Sequence, residues 1–314
     1  MQHVATPAEA AAARRAGELH PGPPAWVGRL VGDPERSCWR QTAPGQLLRR
    51  VDGEGFSLVS VRLVEAIALE AEAFREGSRQ LYELLRRELA GRPRPPHPVR
   101  LWNFIPGILE PLGELPHRYM HFNAGRFQAY ESWFQSSERF ALHLPTATGT
   151  GQSGVHLDVH CLSARHPGTP VENPRQVAAY RYSPRYGPLP PCFARATRLS
   201  NGHGVDWLLV GGTASVAGED SAHLGDLGAQ LEETAHNLDA LVARALGANG
   251  GHAPGDGTLS RFRQLRAYHP RAADAPFLQH ALAARFPAIE RLELVRSDLC
   301  RPELLLEIEG VAVL

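Results

Sequence analysis

Two glutamates, Glu307 and Glu309, stand inside the apolar run "ELLLEIEGVAVL" (303–314), and Cys300 lies shortly before them. The run reads as a strand, in which side chains alternate between faces. Leu304, Leu306, Ile308, Gly310 and Ala312 then share a wholly apolar face, while Leu305, Glu307, Glu309, Val311 and Val313 share a mixed one. Parity leaves two readings open. The mixed face is half solvated, or a glutamate held between Leu305 and Val311 is sheltered, with a raised pKa that lets it pass a proton near neutral pH.

The sequence contains no lysine, so all 33 basic residues are arginine. This excludes Schiff-base, pyridoxal-phosphate and P-loop chemistry, each of which needs a lysine. An anionic ligand must be held by arginine, histidine or backbone N–H groups, and the arginine fork suits carboxylates. One stretch, "YRYSPRYGPLPPCFARA" (180–196), interleaves Arg181, Arg185 and Arg195 with Tyr180, Tyr182 and Tyr186. It fits a site for a small anion, with tyrosine supplying wall and hydroxyl, or a solvated hairpin with arginine stacked on tyrosine. Arg126, in the aromatic helix "NAGRFQAYESWF" (123–134), is equally a carboxylate clamp or a surface residue on spacing alone.

Two further motifs carry less. "HLDVH" sets His156, Asp158 and His160 on one strand face, a possible zinc or iron set that a polar strand face explains as well. "GTGQSG" (149–154) matches GxGxxG, but an alternating strand follows where a dinucleotide site requires a helix. A loop between strands, lining a pocket, is the expectation there.

These residues need a frame. With 314 residues, 43% hydrophobic and 21% charged, the chain can bury a large core in one or two domains. A formal net charge of +0 argues against nucleic acid as a partner, and no apolar run reaches transmembrane length. Residues 1–25, alanine-rich then Pro/Gly-rich and without an apolar h-region, read as a loose arm. Cys38, Cys161, Cys192 and Cys300 are scattered without a CxxC pair, which fits a reducing cytoplasm. Strands are expected at 56–64, 99–106, 154–164, 175–182, 192–199, 206–216, near 264–269, at 289–297 and at 303–314. Helices are expected after 64 to Gly91, at 123–134, at about 220–246 with Leu224, Leu227, Leu231, Leu238 and Leu241 as its stripe, and at 275–286. The order is α+β, with helices on one side of a sheet, and the first half loosely repeats it.

Several long motifs, in order, give a more specific reading. "AAYRYSPRYGPLPPCFARAT", "LLVGGTASVAGEDSAHLGDLGAQLEETAHNLDALV" and "DLCRPELLLEIEGVAV" resemble the chorismatases, chorismate-cleaving enzymes related to the RidA/YjgF fold; "RLWNFIPGI" and "NAGRFQAYESWF" are similar too. The resemblance spans about 50–314. It implies two RidA-like, chorismate-mutase-like halves with mixed sheets, here 26–185 and 186–314, and neither metal nor organic cofactor. It implies that Glu307 is the catalytic acid/base and that arginines, here Arg181, Arg195 and Arg126 with Tyr182 beside them, hold the carboxylates of chorismate. Cys300 together with Gly212 in "GGTAS" resembles the subtype that forms 3-hydroxybenzoate and pyruvate; Gly211 leaves that glycine ambiguous by one residue. Cys300 then shapes the pocket or assists a proton transfer, and Glu309 becomes solvated rim. Other outcomes stay open: hydrolysis to a dihydroxycyclohexadienoate, mixed 3- and 4-hydroxybenzoate, or more remotely a RidA-like imine hydrolase or metabolite-binding protein. No nucleic-acid or membrane partner is expected, and the chain is a monomer or a RidA-like trimer.

Overall fold

The computed structural model describes residues 22–94, 96–200, 205–247 and 257–314. Most of the expected arm and most of the Gly-rich segment at 247–257 lie outside the described residues. The first half runs β1 (Arg40–Ala43), β2 (Gln46–Asp52), β3 (Phe56–Leu63), a helix (Ala71–Ala90), β4 (His97–Pro106), a helix (Arg118–Phe134), β5 (Thr146–Gln152) and β6 (Leu157–Ala164). The second runs β7 (Thr169–Val171), β8 (Ala196–Ser200), β9 (Asp206–Ala214), the small hairpin β10–β11 (Val216–Ala217, Asp220–Ser221), a helix (Leu227–Ala245), β12 (Phe262–His269), a helix (Ala275–Arg285), β13 (Arg291–Arg296) and β14 (Glu307–Val313). In chain order the helices are α1 (Ala25–Val31), α2 (Ala71–Ala90), α3 (Arg118–Phe134), α4 (Phe140–His143), α5 (Leu227–Ala245) and α6 (Ala275–Arg285).

The sheets are ordered β1-β2-β3-β6-β4-β5 and β7-β8-β9-β14-β12-β13. Numbered within its own half, each reads 1-2-3-6-4-5, and in each the fourth and fifth strands are parallel. The duplication is therefore one of topology, and the protein is α+β with two mixed sheets. The sheets divide between Ala164 and Thr169, ahead of the boundary expected at 185.

Each sheet has a helical face and a shared face. α2 and α3 cover Val59, Val61, Leu101, Ile105 and Val159 of the first sheet. α5 and α6 cover Leu208, Val210, Leu265, Ala267 and Ile308 of the second. Gly125 sits where α3 crosses α2: a Cβ there would stand 2.3 Å from the carbonyl of Arg75, so only glycine permits this approach. The opposite faces meet each other through Leu58, Trp102, Phe104, Leu162, Leu209, Tyr268 and Val311. α1 packs into the same layer, with Trp26 edge-on to Trp102 at 5.9 Å.

Several sequence expectations need correction. Residues 175–182 are not a strand: they form an irregular segment ending in a 3-10 turn at Ala179–Arg181, while the short β7 upstream was not anticipated. Pro170 and the pairing of β7 with β8 alone explain its brevity. The helix expected from 220 begins only at Leu227, capped by the Asp226 side chain on the Ala229 N–H at 3.0 Å. Leu224 is thus no part of the stripe and is 64% exposed. "GTGQSG" is not a loop, since Gly149 to Gln152 lie within β5. The final strand begins at Glu307, not at 303, so Leu304 escapes the parity assigned to it and packs in the layer between the sheets.

Candidate active site

The mixed face of β14 meets the first sheet rather than water. Glu307 is 5% exposed and Glu309 only 2%, so the half-solvated reading and the rim assigned to Glu309 both fail. Glu309 Oε2 accepts from Arg100 Nη2 at 2.6 Å and from Thr148 Oγ1 at 2.5 Å; Oε1 accepts from Trp102 Nε1 at 2.9 Å and Tyr268 Oη at 3.2 Å. Arg100 is itself 2% exposed and lies over the Trp102 ring, 4.8 Å from its centroid. Sequence reasoning missed this site because its partners come from other strands, Arg100 and Trp102 from β4, Thr148 from β5 and Tyr268 from β12. Arginine and asparagine inside "VRLWNF" were the available signal, being out of place in a buried strand.

Glu307 is arranged differently. Among the described residues no group hydrogen-bonds to its carboxyl. Burial pushes its pKa up to about 8, the charge of Glu309 adds to the rise, and Arg100, Arg195 and Arg301 offset part of it. The carboxyl occupies space that Gly212 leaves open: a Cβ on Gly212 would fall 1.9 Å from Glu307 Oε1. Gly211 faces elsewhere, toward the carbonyl of Ala147, so Gly212 is the glycine at the carboxyl.

A β-bulge produces this arrangement. Ile308 pairs with Thr213 and Gly310 with Val210, so Gly211 and Gly212 together lie opposite Glu309. The extra residue frees the Gly212 N–H from the ladder, and it donates to Thr148 Oγ1 on β5 at 3.0 Å. Gly211 N–H donates to the carbonyl of Arg195 at 2.9 Å. Thr148 thereby touches both the strand opposite Glu307 and the carboxylate of Glu309.

Glu307 opens into a cavity of about 220 Å³ at the junction of the halves. Tyr119, Met120 and Arg126 of α3 form one wall and Ala147 and Gly149 of β5 another. Gly212 and Ala214 of β9 lie across, and Tyr182, Arg185, Tyr186, Phe193, Arg195, Cys300 and Arg301 close it from the two long loops. Arg126 is buried, donates to Asn123 Oδ1 at 2.9 Å and lies against Phe122 and Phe193. Arg195 donates to Tyr182 Oη at 2.6 Å. The Nε groups of Arg126 and Arg195 are buried without a hydrogen-bond partner among the described residues. Arg301 stacks on Tyr186 at 4.1 Å and donates to the carbonyl of Glu219 at 2.8 Å. At the mouth, Arg185 pairs with Glu219 at 3.2 Å and with Asp220.

Arg181 does not join this group. It is exposed, lies over Tyr180 and is absent from the cavity wall. Its place among the cavity arginines is taken by Arg301, which sequence reasoning overlooked although it adjoins Cys300. Cys300 lines the cavity, and burial, followed by the charge of Glu307, pushes its thiol up to about 12. The group is a neutral thiol at neutral pH, suited to shaping the wall and not to nucleophilic attack. The "HLDVH" residues serve the first sheet: Arg62 holds Asp158 in a two-point ion pair at 2.6 and 2.9 Å, His160 Nδ1 meets Ser60 Oγ at 2.8 Å, and His156 Nδ1 accepts from the Glu65 N–H at 2.9 Å.

A buried carboxyl with a raised pKa in a small cavity lined by four arginines, Arg126, Arg185, Arg195 and Arg301, is an arrangement suited to a small anionic ligand. The comparisons with known proteins agree. Residues 39–163 match the family model of the chorismatase FkbO/Hyg5-like N-terminal domain. A 3-hydroxybenzoate synthase of Streptomyces hygroscopicus is 36% identical over 219 residues, covering 68% of this chain and 63% of that protein. A chorismatase of Streptomyces rapamycinicus is 33% identical over 221 residues, covering 69% and 64%. The matched segments thus span just under two thirds of the length of these curated relatives. A chorismatase crystal structure superposes with a TM-score of 0.72 at 26% identity, covering 88% of this chain and 78% of that one. The chain belongs to the chorismatase family.

Proposed function

We propose that this protein cleaves chorismate to 3-hydroxybenzoate and pyruvate, with Glu307 as the acid. The observation that carries the reading is the buried Glu307 carboxyl, free of hydrogen bonds from described residues and with a pKa pushed up to about 8 by burial, in a cavity shared with Arg126, Arg195 and Arg301. Chorismate is a dianion with an enol ether. Arginine forks neutralise the carboxylates, and the two buried Nε groups supply donors otherwise unused. Proton transfer from Glu307 to the terminal methylene carbon turns the enol ether into an oxocarbenium ion. The neighbouring ring hydroxyl then displaces the side chain, which departs as pyruvate, and the hydroxyl proton returns to the Glu307 carboxylate. The remaining ring isomerises to the phenol. Substrate and products have the same total composition, so no water is consumed. Cys300, Phe193 and Ala214 offer an apolar wall, which disfavours competing water at the ring. The similarity to a 3-hydroxybenzoate synthase supports this outcome over hydrolysis.

The cavity lies between the two halves of the chain, an arrangement that fits a monomer and equally each chain of a RidA-like trimer. The four cysteines are free thiols, which suits the cytoplasm, and among the described residues no helix is long and apolar enough to cross a membrane. Incubation with chorismate and chromatography of the products tests the proposal. Equimolar pyruvate and 3-hydroxybenzoate are expected. Absence of pyruvate overturns the activity, whereas a dihydroxycyclohexadienoate or 4-hydroxybenzoate as main product overturns only the subtype.

A further inference from the structure

Glu307 and Glu309 stand together in the layer between the sheets, and of the buried arginines around them, Arg100, Arg195, Arg266 and Arg301, Arg100 alone among the described residues forms an ion pair with either carboxyl. A buried charge must be paired, so a carboxyl bonded directly to Arg100 favours the anion and one without a bonded partner favours its neutral form. Geometry decides which. Arg100 Nη2, Thr148, Trp102 and Tyr268 all donate to Glu309, and no described group donates to Glu307. Four donors fix Glu309 as the anion; Glu307, without them, keeps its proton.

We propose that Glu309 is a positioning residue for the reaction: it engages Arg100 and so prevents that arginine from capturing Glu307, which stays a neutral acid facing the cavity. The proposal rests on the reading of Glu307 as proton donor, but its physical content is a charge assignment that exists without substrate. Charged and titratable groups face the pair from every neighbouring element. Arg100 comes from β4, Tyr268 and Arg266 from β12, Tyr119 from α3, and Arg195, Cys300 and Arg301 from the loops; each interacts electrostatically with Glu307 or Glu309. Among these, Arg100 is the cation that acts on both carboxyls: burial lowers its pKa, Glu309 ahead of Glu307 offsets part of that, and it is directly bonded only to Glu309. Thr148 adds a mechanical link, since the hydroxyl that donates to Glu309 accepts the N–H of Gly212, the glycine against which the Glu307 carboxyl lies.

Glu309→Gln removes the anion, keeps the shape and leaves Arg100 seeking Glu307. The readout is the infrared C=O band of the protonated Glu307 carboxyl, identified by its loss in Glu307→Gln and titrated without chorismate. Its midpoint is expected to fall by at least one pH unit in Glu309→Gln, about a tenfold change in acid dissociation. Turnover, measured in parallel, should lose its alkaline limb at the same lower pH while retaining activity on the acid side. Arg100→Gln/Glu309→Gln removes both charges and should return the midpoint toward that of the parent, and it serves if Glu309→Gln alone does not fold. An unmoved midpoint in Glu309→Gln, or a double variant whose midpoint stays low, overturns the proposal. A midpoint that shifts as expected in a protein that never turns over chorismate upholds the charge assignment and refutes only the activity.

Discussion

Replacing Glu307 by glutamine should inactivate the protein and stabilise it, by an amount that depends on pH. Its carboxyl is moved from an ordinary 4.5 to about 8 by burial and by Glu309. The sign follows from proton counting. Below 4.5 folded and unfolded chains both carry the proton, and folding is unaffected by it. Between 4.5 and 8 the unfolded chain releases its proton and the folded chain holds it, so stability drains away as pH rises. Above 8 both are ionised and the loss is complete. Each pH unit in that window costs about 1.4 kcal/mol, giving an upper limit of about 5 kcal/mol, and local relaxation should bring the observed loss to about 2–3 kcal/mol. Glutamine has no proton to lose. Urea unfolding of parent and Glu307→Gln from about pH 5 to about pH 9 isolates the effect, because every other titrating group cancels in the difference. The variant should gain steadily on the parent up to about pH 8 and then hold a constant lead. A difference that is flat across the range would refute a raised carboxyl, whatever its catalytic role.

Other substitutions separate the parts of the site. Gly212→Ala places a methyl group against Glu307 Oε1 and should lower kcat by about 100-fold in a folded protein, as checked by steady-state kinetics and near-ultraviolet circular dichroism. Arg195→Gln and Arg301→Gln should each raise KM for chorismate about 10–100-fold, and Arg181→Gln, exposed and outside the cavity, should leave it unchanged. Cys300→Ala enlarges the wall beside Glu307 and should move product from 3-hydroxybenzoate toward the diene diol; an unchanged ratio removes Cys300 from the control of water. Iodoacetamide at neutral pH should label exposed Cys38 well before Cys300, whose thiol is pushed up to about 12. Labelling of Cys300 first, read by peptide mass, would contradict that.

Local sequence carried the elements whose burial follows a single period. β3, β4, β6 and β9 alternate or run apolar and lie where the pattern puts them, and Gly91 closes α2. Glu307, Cys300 and Gly212 were found as candidates through motif resemblance, and the cavity gathers all three. What failed was whatever depends on a second surface. Strand parity placed Glu307 and Glu309 together but could not say that the opposing surface is the first sheet. Hence Glu309 was assigned to water, although it is more buried than Glu307. In "YRYSPRYGPLPPCFARA" the local sequence marks Arg195 as the least exposed arginine, and it is buried, but only the path of an irregular loop decides that Arg181 faces solvent. Arg301 lies in "DLCRPELLL", between the strands expected at 289–297 and 303–314, where no local period says that the loop turns its side chain onto Tyr186.

The repeated topology explains why only one of two comparable carboxyls is an acid. β4 and β12 occupy the same place in their sheets; Arg100 begins the parallel pairing in one and Gln264 in the other. Counting four residues on, Phe104 pairs with Asp158 on β6 and Tyr268 pairs with Glu307 on β14, so Asp158 and Glu307 hold matching positions. Both are nearly inaccessible to water. Asp158 faces Arg62 directly across β3, and the two-point ion pair holds its pKa below the usual carboxylate value despite burial. On β9 Glu307 faces Ala214, which offers no cation, and the buried Arg100 is bound to Glu309. One position in a duplicated fold thus yields a permanent anion or a neutral acid according to where a single arginine is directed. The same logic predicts that Ala214→Arg, which sets a guanidinium opposite Glu307 as Arg62 is opposite Asp158, should abolish turnover by ionising the acid. Survival of the protonated Glu307 carboxyl band in that variant at neutral pH would refute it.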